Sequence, residues 1–326
     1  MQQRKLIFKN HQSPGDIVML LYGIVSLHKS HPGKFLTDVR VTARELFDGC
    51  QFITPLDEND PEVGILKCDY PDIHKSNKYP VRFATAFGNF LEEKIGVKIV
   101  PARFSGLIEI TPQEQSWLSA VHEILGRDVP YWIINAGHKH DFTAKAWSFA
   151  RYQELVARFP DIWFVQVGAE EHVHPNLTGD NVINMVGKTD TRQLVRLVYN
   201  SFGVISGVSF PMHLSYAVPP HPRFGRKSRA SIVIAGGREP AHWEHGPDQQ
   251  FLHTCGMLPC CDQGGCWKSR VVPINDGDAK DNSLCVSPVL LEDGQWIAQC
   301  MSMIEVDDVA RIIKRYMDNL DYEPRK

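Results

Sequence analysis

The sequence predicts an α/β protein of two Rossmann-like domains facing each other across a cleft, followed by a C-terminal cysteine-ligated metal finger. Three observations carry that expectation. Apolar strand-like runs alternate with helical runs along most of the chain, the pattern of parallel βαβ units. A length of 326 residues suggests two domains, and Asp128-Val129-Pro130 reads as the linker between residues 1–127 and 128–326. Six of the eight cysteines fall between Cys255 and Cys300.

The first half opens with the short apolar run KLIFKN, closed by the loop HQSPGD. The stretch from Asp16 to His31 is apolar on nearly every face, so it reads as a buried helix behind a buried strand. DVRVTA then reads as a strand, ARELFDG as a helix, and FATAFGNFLEEKIG as an amphipathic helix. In residues 111–128, Thr111 followed three residues later by Glu114 makes a capping-box pattern, which predicts one further helix.

The second half alternates more cleanly. PYWIINA reads as a strand and FARYQELVARF as a helix; DIWFVQVG and VINMVG are strands; TDTRQLVRLVYNS is a helix. FGVISG, FPMHLSYAV and ASIVIAGG continue as strand, helix and strand. The stretch 305–319, within EVDDVARIIKRYMDNL, is a closing helix with Val306, Val309, Ile312, Ile313 and Met317 on an apolar face.

The cysteines are spaced Cys261-x4-Cys266-x18-Cys285-x14-Cys300, with Cys260 an alternative to Cys261 and Cys255 left out. Four soft ligands converging from loops suit a tetrahedral metal. A disulfide framework belongs mostly to small secreted proteins, whereas this chain has ample apolar content, and its first residues do not read as a signal peptide. The longest apolar run, Ile17 to Val25, is too short to span a bilayer, so a cytoplasmic protein without a transmembrane segment is expected. Cys50 and Cys68 read as ordinary small core residues. A net charge of −3 marks no surface for nucleic acid.

Ligands of open α/β sheets bind beyond the carboxyl ends of strands, which directs attention to the loops there. Gly15-Asp16 ends the first such loop: Asp16 is either a helix cap or a carboxylate able to take a proton from an acceptor hydroxyl. Thr143 and Lys145 stand ahead of a helix, where a hydroxyl and an ammonium suit a diphosphate. Glu171, after a strand, suits ribose hydroxyls or solvent. Thr189 and Ser209 precede helices, as caps or as phosphate donors, and His213 is a core residue or a ligand contact.

Taken in order, SPGDIVMLLYGIVSLHKSHP, INAGHKHDFTAKAWSFARYQELVARF, NMVGKTDTRQLVRLVYNSFGVISGVSFPMHLSYAV and SIVIAGGREPAHWEHG resemble glycosyltransferase family nine, the ADP-heptose heptosyltransferases of GT-B fold. The resemblance implies an enzyme that moves a heptose-like sugar from a nucleoside-diphosphate donor to an acceptor hydroxyl with inversion. Residues 1–127 would form the acceptor domain and 128–326 the nucleotide-sugar domain. Asp16 matches the family's general base and Lys145 its diphosphate-binding lysine, with Thr143 beside it. Glu171 sits near the family's ribose-binding acid and Thr189 near its adenine-contacting stretch, while Ser209, Met212 and His213 match the D-[ST]-G-P-M-H box. Val208 and Phe210 depart from that box, standing where the family has Asp and Gly. A non-catalytic nucleotide-sugar or glycan-binding protein of the same fold is the alternative.

Cys266-Trp267 and the later cysteines resemble the iron finger of the bacterial autotransporter heptosyltransferases, in residues 255–300. That resemblance favours iron over zinc at Cys261 (or Cys260), Cys266, Cys285 and Cys300, with no organic cofactor. It also implies an ADP-sugar donor, a glycan, lipid-linked or protein acceptor, and a last helix that crosses back to the first domain. Assembly into homo-oligomers is left open.

Overall fold

A computed structural model describes residues 3–268 and 285–318. The chain begins β1 (Arg4–Asn10), α1 (Pro14–Ser30), β2 (Phe35–Val41), β3 (Val63–Lys67) and α2 (Phe83–Ile95). These strands form a parallel sheet in the order β2-β1-β3, with Ile7 opposite Asp38 on one side and Ile65 on the other. Every residue of α1 from Gly15 to His28 is buried. The all-round apolar sequence is explained by its neighbours, since α1 lies on its own sheet and also against α2 and a helix of the second half.

Two short helices follow, α3 (Pro112–Gln115) and α4 (Ala120–Leu125), where one was expected. The capping box is present, with Thr111 and Glu114 bonded reciprocally. The break comes because the Ser119 side chain accepts from His122 N and starts a new helix, while the Leu118 carbonyl is taken by Arg196. ARELFDG is likewise only a single 3₁₀ turn, Arg44–Phe47, stopped ahead of a left-handed Gly49 at φ 76°.

The second half contains β4 (Tyr131–Asn135), α5 (Phe149–Ala157), β5 (Trp163–Gln166), β6 (Val182–Asn184), α6 (Thr191–Asn200), β7 (Gly203–Gly207), α7 (Phe210–Ala217), β8 (Ala230–Gly236), α8 (Ala241–Glu244) and β9 (Gln250–His253). All six strands are parallel, in the order β6-β5-β4-β7-β8-β9. The chain runs outward from β4 and returns beside it as β7, so a ligand crevice is expected beyond those two carboxyl ends. A hairpin of β10 (Pro288–Leu290) and β11 (Trp296–Ala298), then α9 (Gln299–Ser302) and α10 (Val306–Asp318), complete the described chain. The sequence reading had not assigned β3, β9 or the hairpin to strands.

The closing helix packs through the expected apolar face, but its described residues do not cross back to the first half. Val306, Val309 and Ile313 of α10 pack with Trp132, Tyr152 and Leu155 on the second sheet's outer layer. Arg151 bonds the Ile304 carbonyl at 2.6 Å and Glu305 at 2.9 Å, which fixes the entry of α10 beside α5. Its described residues therefore stay with the second half, and residue 319 lies outside the described range. Among the described residues, no helix is long and apolar enough to cross a membrane.

Candidate active site

The loops beyond β4, β5, β7 and β8 meet the N-terminus of α1 around one cavity of about 490 Å³. The halves are pressed together here. A Cβ on Gly15 would stand 2.6 Å from Cδ2 of His213, so the first residue of the Gly-Asp pair has to be glycine for α1 to meet α7. Lys139 reaches across to the Ser13 hydroxyl at 3.1 Å, and Arg192 of α6 holds Glu114 at 2.5 Å.

Asp16 sits in the first turn of α1, 6% exposed, and its Oδ2 accepts from Ser13 N and from the Tyr70 hydroxyl, each at 3.0 Å. Burial raises its carboxyl to about 6, against the opposing pull of those hydrogen bonds and of Lys145 and Lys139. Burial also pushes the Tyr70 phenol up, and Asp16 adds to it, so Tyr70 stays a donor. Lys145 closes the turn Thr143–Lys145 after β4, with Nζ 3.6 Å from Glu239 Oε1. Burial and then the nearby Arg238 hold its ammonium below the usual lysine range.

His213 projects from α7, with Nδ1 2.6 Å from the Tyr216 hydroxyl. Burial and then Lys145 lower it to about 3, so the imidazole is neutral. Ser209 caps the space between β4 and β7, donating to Asn135 Oδ1 at 3.1 Å. Glu171 and Thr189 line the same cavity from the loops after β5 and β6. The structure thus brings together Asp16, Lys145, Glu171, Thr189, Ser209 and His213. It leaves out the other two expected residues. Thr143 is off the cavity, its hydroxyl buried without a partner, and Met212 is fully buried among Val208, Val233 and Ala235.

Several lining residues had not been singled out. Arg238 and Glu239 follow β8 as an ion pair. The Arg238 guanidinium lies 5.1 Å from the Phe142 ring and 5.6 Å from the Trp267 ring. Both aromatic residues are left-handed, at φ 57° and 55°, a conformation costing roughly 1 kcal/mol or more each for a residue with a Cβ. Trp267 is fastened to the first half, since Asn77 Oδ1 accepts from its indole at 3.1 Å and from Gly265 N at 3.2 Å. The only signal in the sequence was a charged pair directly after an apolar strand, in GGREP. Val208 and Phe210, the two departures from the family's box, both line the wall.

The cysteines gather at a second cavity of about 320 Å³, lined by Cys260, Cys261, Cys266, Cys285 and Cys300. A Cβ on Gly237 would meet Cys261 Sγ at 3.0 Å and Cys300 Cβ at 3.4 Å, so the thiols crowd the end of β8. Cys255 does not line that cavity; its thiol donates to the Glu239 carbonyl at 3.2 Å, and burial, with Cys261 and Cys266 nearby, pushes it up. Among the described residues, no group of three or more Cys, His, Asp or Glu is arranged to hold a metal ion. The donor type therefore suits a soft metal, while the thiols stand as a loose cluster, and part of the expected finger, residues 269–284, lies outside the described range.

No family model matches the sequence, and neither does any curated protein. Solved structures do match its fold. The glycosyl transferase family 9 protein of Veillonella parvula superposes with a TM-score of 0.59 at 12% identity, over 97% of this chain and 98% of its own. The dodecameric iron-containing heptosyltransferase TibC, solved with ADP-D-beta-D-heptose, gives a TM-score of 0.61 at 15% identity, over 97% and 76%. The ADP-heptose LPS heptosyltransferase II of E. coli gives 0.56 at 12% identity, over 96% and 98%. At these identities the likeness is one of fold, and the chain has the α/β architecture of parallel sheets found in family 9 glycosyltransferases.

Proposed function

We propose that the chain is an inverting glycosyltransferase that moves a heptose-like sugar from a nucleoside diphosphate, an ADP-sugar, to an acceptor hydroxyl in the cytoplasm. The supporting observation is that Asp16 and Lys145, from opposite halves, face one cavity with the carboxyl near 6 and the lysine tied to Glu239. A base with a pKa near working pH is matched to proton abstraction. The acceptor oxygen bonds to the anomeric carbon, the bond from that carbon to the diphosphate oxygen breaks, and the acceptor proton passes to Asp16. Lys145, and Arg238 beside it, offset the charge on the departing diphosphate.

In the same reading Glu171 takes the ribose, Thr189 the adenine, and Ser209 and His213 the diphosphate side, with Thr143 and Met212 supporting that wall from behind. The division into domains 1–127 and 128–326 belongs to this reading. Asp16→Asn should lower turnover with ADP-heptose by about 10²- to 10⁴-fold and leave ADP binding nearly intact. Turnover close to wild type would refute the assignment. The apolar Val208 and bulky Phe210 on the wall favour a second reading, a nucleotide-sugar-binding protein without turnover. Binding of ADP-heptose with no ADP released across a panel of acceptors would select it.

We further propose that Cys261 (or Cys260), Cys266, Cys285 and Cys300 hold a structural metal, iron before zinc. Their shared cavity and all-thiol donor set support this reading. One metal per chain, lost in Cys285→Ser, is the expected result. Metal content unchanged by that substitution would overturn it.

A further inference from the structure

The loop after β8 carries two carboxylates, each with an oxygen that the mechanism above leaves unused. Glu239 Oε1 is engaged by Arg238 and Lys145, but its Oε2 is buried without a hydrogen-bond partner. Glu244 is held by a hydrogen bond with Trp243, and its Oε2 is likewise buried without a partner. The nearest ring nitrogen, Nε2 of the neutral His213, is 3.9 Å away, beyond hydrogen-bond reach. These side chains are 6% and 8% exposed, and both line the main cavity.

Buried acceptors in a native fold are nearly always satisfied, so two unsatisfied carboxylate oxygens on one cavity wall point to a ligand that brings donors. Its chemistry follows from the neighbours. Lys145 and Arg238 already face Glu244 with positive charge, and Asp16 faces it with negative charge. A cation would meet the first two and an anion the carboxylates, whereas neutral hydroxyl groups are compatible with all of them. Val208, packed on Met212, Val233 and Ala235, offers no polar atom to compete for such a ligand.

We propose that Glu244, with the unengaged oxygen of Glu239, accepts hydrogen bonds from hydroxyls of the transferred sugar and is the element that reads the sugar. The proposal rests on the nucleotide-sugar reading above and assigns the sugar to the β8 loop. Glu244 is placed here as a binding residue, distinct from the base Asp16 and the diphosphate contact Lys145.

Calorimetric titration of the full chain with ADP and with ADP-heptose tests it. Wild type is expected to bind ADP-heptose more tightly than ADP. Glu244→Ala should weaken ADP-heptose about tenfold or more and Glu244→Gln about five- to tenfold, with ADP affinity held within about twofold. Glu244→Gln should also melt at or above wild type at pH 8, because a neutral amide replaces a carboxylate disfavoured by burial. Equal loss of both ligands, a lowered melting temperature, or no change in ADP-heptose affinity would overturn the assignment. Wild type that binds ADP without preferring ADP-heptose would overturn this proposal alone. Wild type that binds neither compound would refute the nucleotide-sugar reading and this proposal with it.

Discussion

Replacing Tyr70 by Phe removes one hydroxyl and tests whether Asp16 is the proton acceptor. The phenol donates to Asp16 Oδ2 at 3.0 Å and opposes the upward push of burial. A hydrogen bond to a charged group contributes about 1.5–3 kcal/mol, equivalent to roughly one to two units of carboxyl pKa. Asp16 starts near 6, so Tyr70→Phe should move it to about 7–8. At pH 7 the ionised fraction would fall about two- to tenfold, and near pH 9 the variant should approach wild type. The assay is the initial rate of ADP release from ADP-heptose with acceptor across pH 5–9. The acid limb should shift to higher pH while the alkaline plateau is retained. A uniform loss at every pH would refute the reasoning, because Tyr70 would then act on something other than the ionisation of Asp16.

Three further outcomes follow from the same geometry. Asp16 has a folded-state pKa raised above its ordinary value of 3.8 to about 6, so the folded state holds the proton more tightly than the unfolded one. Its stability contribution is greatest below the ordinary value and is lost as pH rises through about 6, so Asp16→Asn should stabilise the protein by up to about 3 kcal/mol at pH 8 and little at pH 4, measured by urea unfolding. Gly15→Ala forces its new methyl onto the His213 ring and should cost about 1–3 kcal/mol, with His213→Ala recovering part of the loss in a double-mutant cycle. Arg192→Ala leaves Glu114, 10% exposed at its side chain, without its cation, and should destabilise by about 3 kcal/mol in denaturant titration. That pair's contribution should fade on acidification, since hydrogen bonding to Arg192 holds Glu114 below its ordinary range against burial.

The parts of the fold legible in the sequence are those set by local pattern. The buried α1 and the strand–helix alternation of the second half are written in runs of ten or so residues, and the structure contains them. Asp16, Lys145, Ser209 and His213 were legible for a related reason: each sits next to a strand end or helix start, and such positions converge in a parallel sheet. What stayed hidden depends on distance along the chain. Tyr70 reaches Asp16 from 54 residues away and Asn77 reaches Trp267 from 190 away, and neither lies in a patterned segment. Thr143 and Met212 lie off the cavity because neighbours in a short turn or helix point in different directions. The break at Ser119 depends on Arg196 of a distant helix, which no capping pattern in residues 111–128 could show.

The contact of Gly15 with His213 has a consequence for timing. In the proposed mechanism Asp16 would owe its strength as a base to exclusion from water, and part of that exclusion comes from the opposite half, where His213 lies against the first turn of α1. Parting the halves would hydrate the carboxyl and return it toward the ordinary aspartate range, making it a poorer proton acceptor. The same separation would carry Lys145 away from Asp16. Base strength and leaving-group stabilisation would then rise and fall together with one rigid-body movement. An open cleft would be chemically quiet toward stray water, and the reaction would be armed only when the two halves meet.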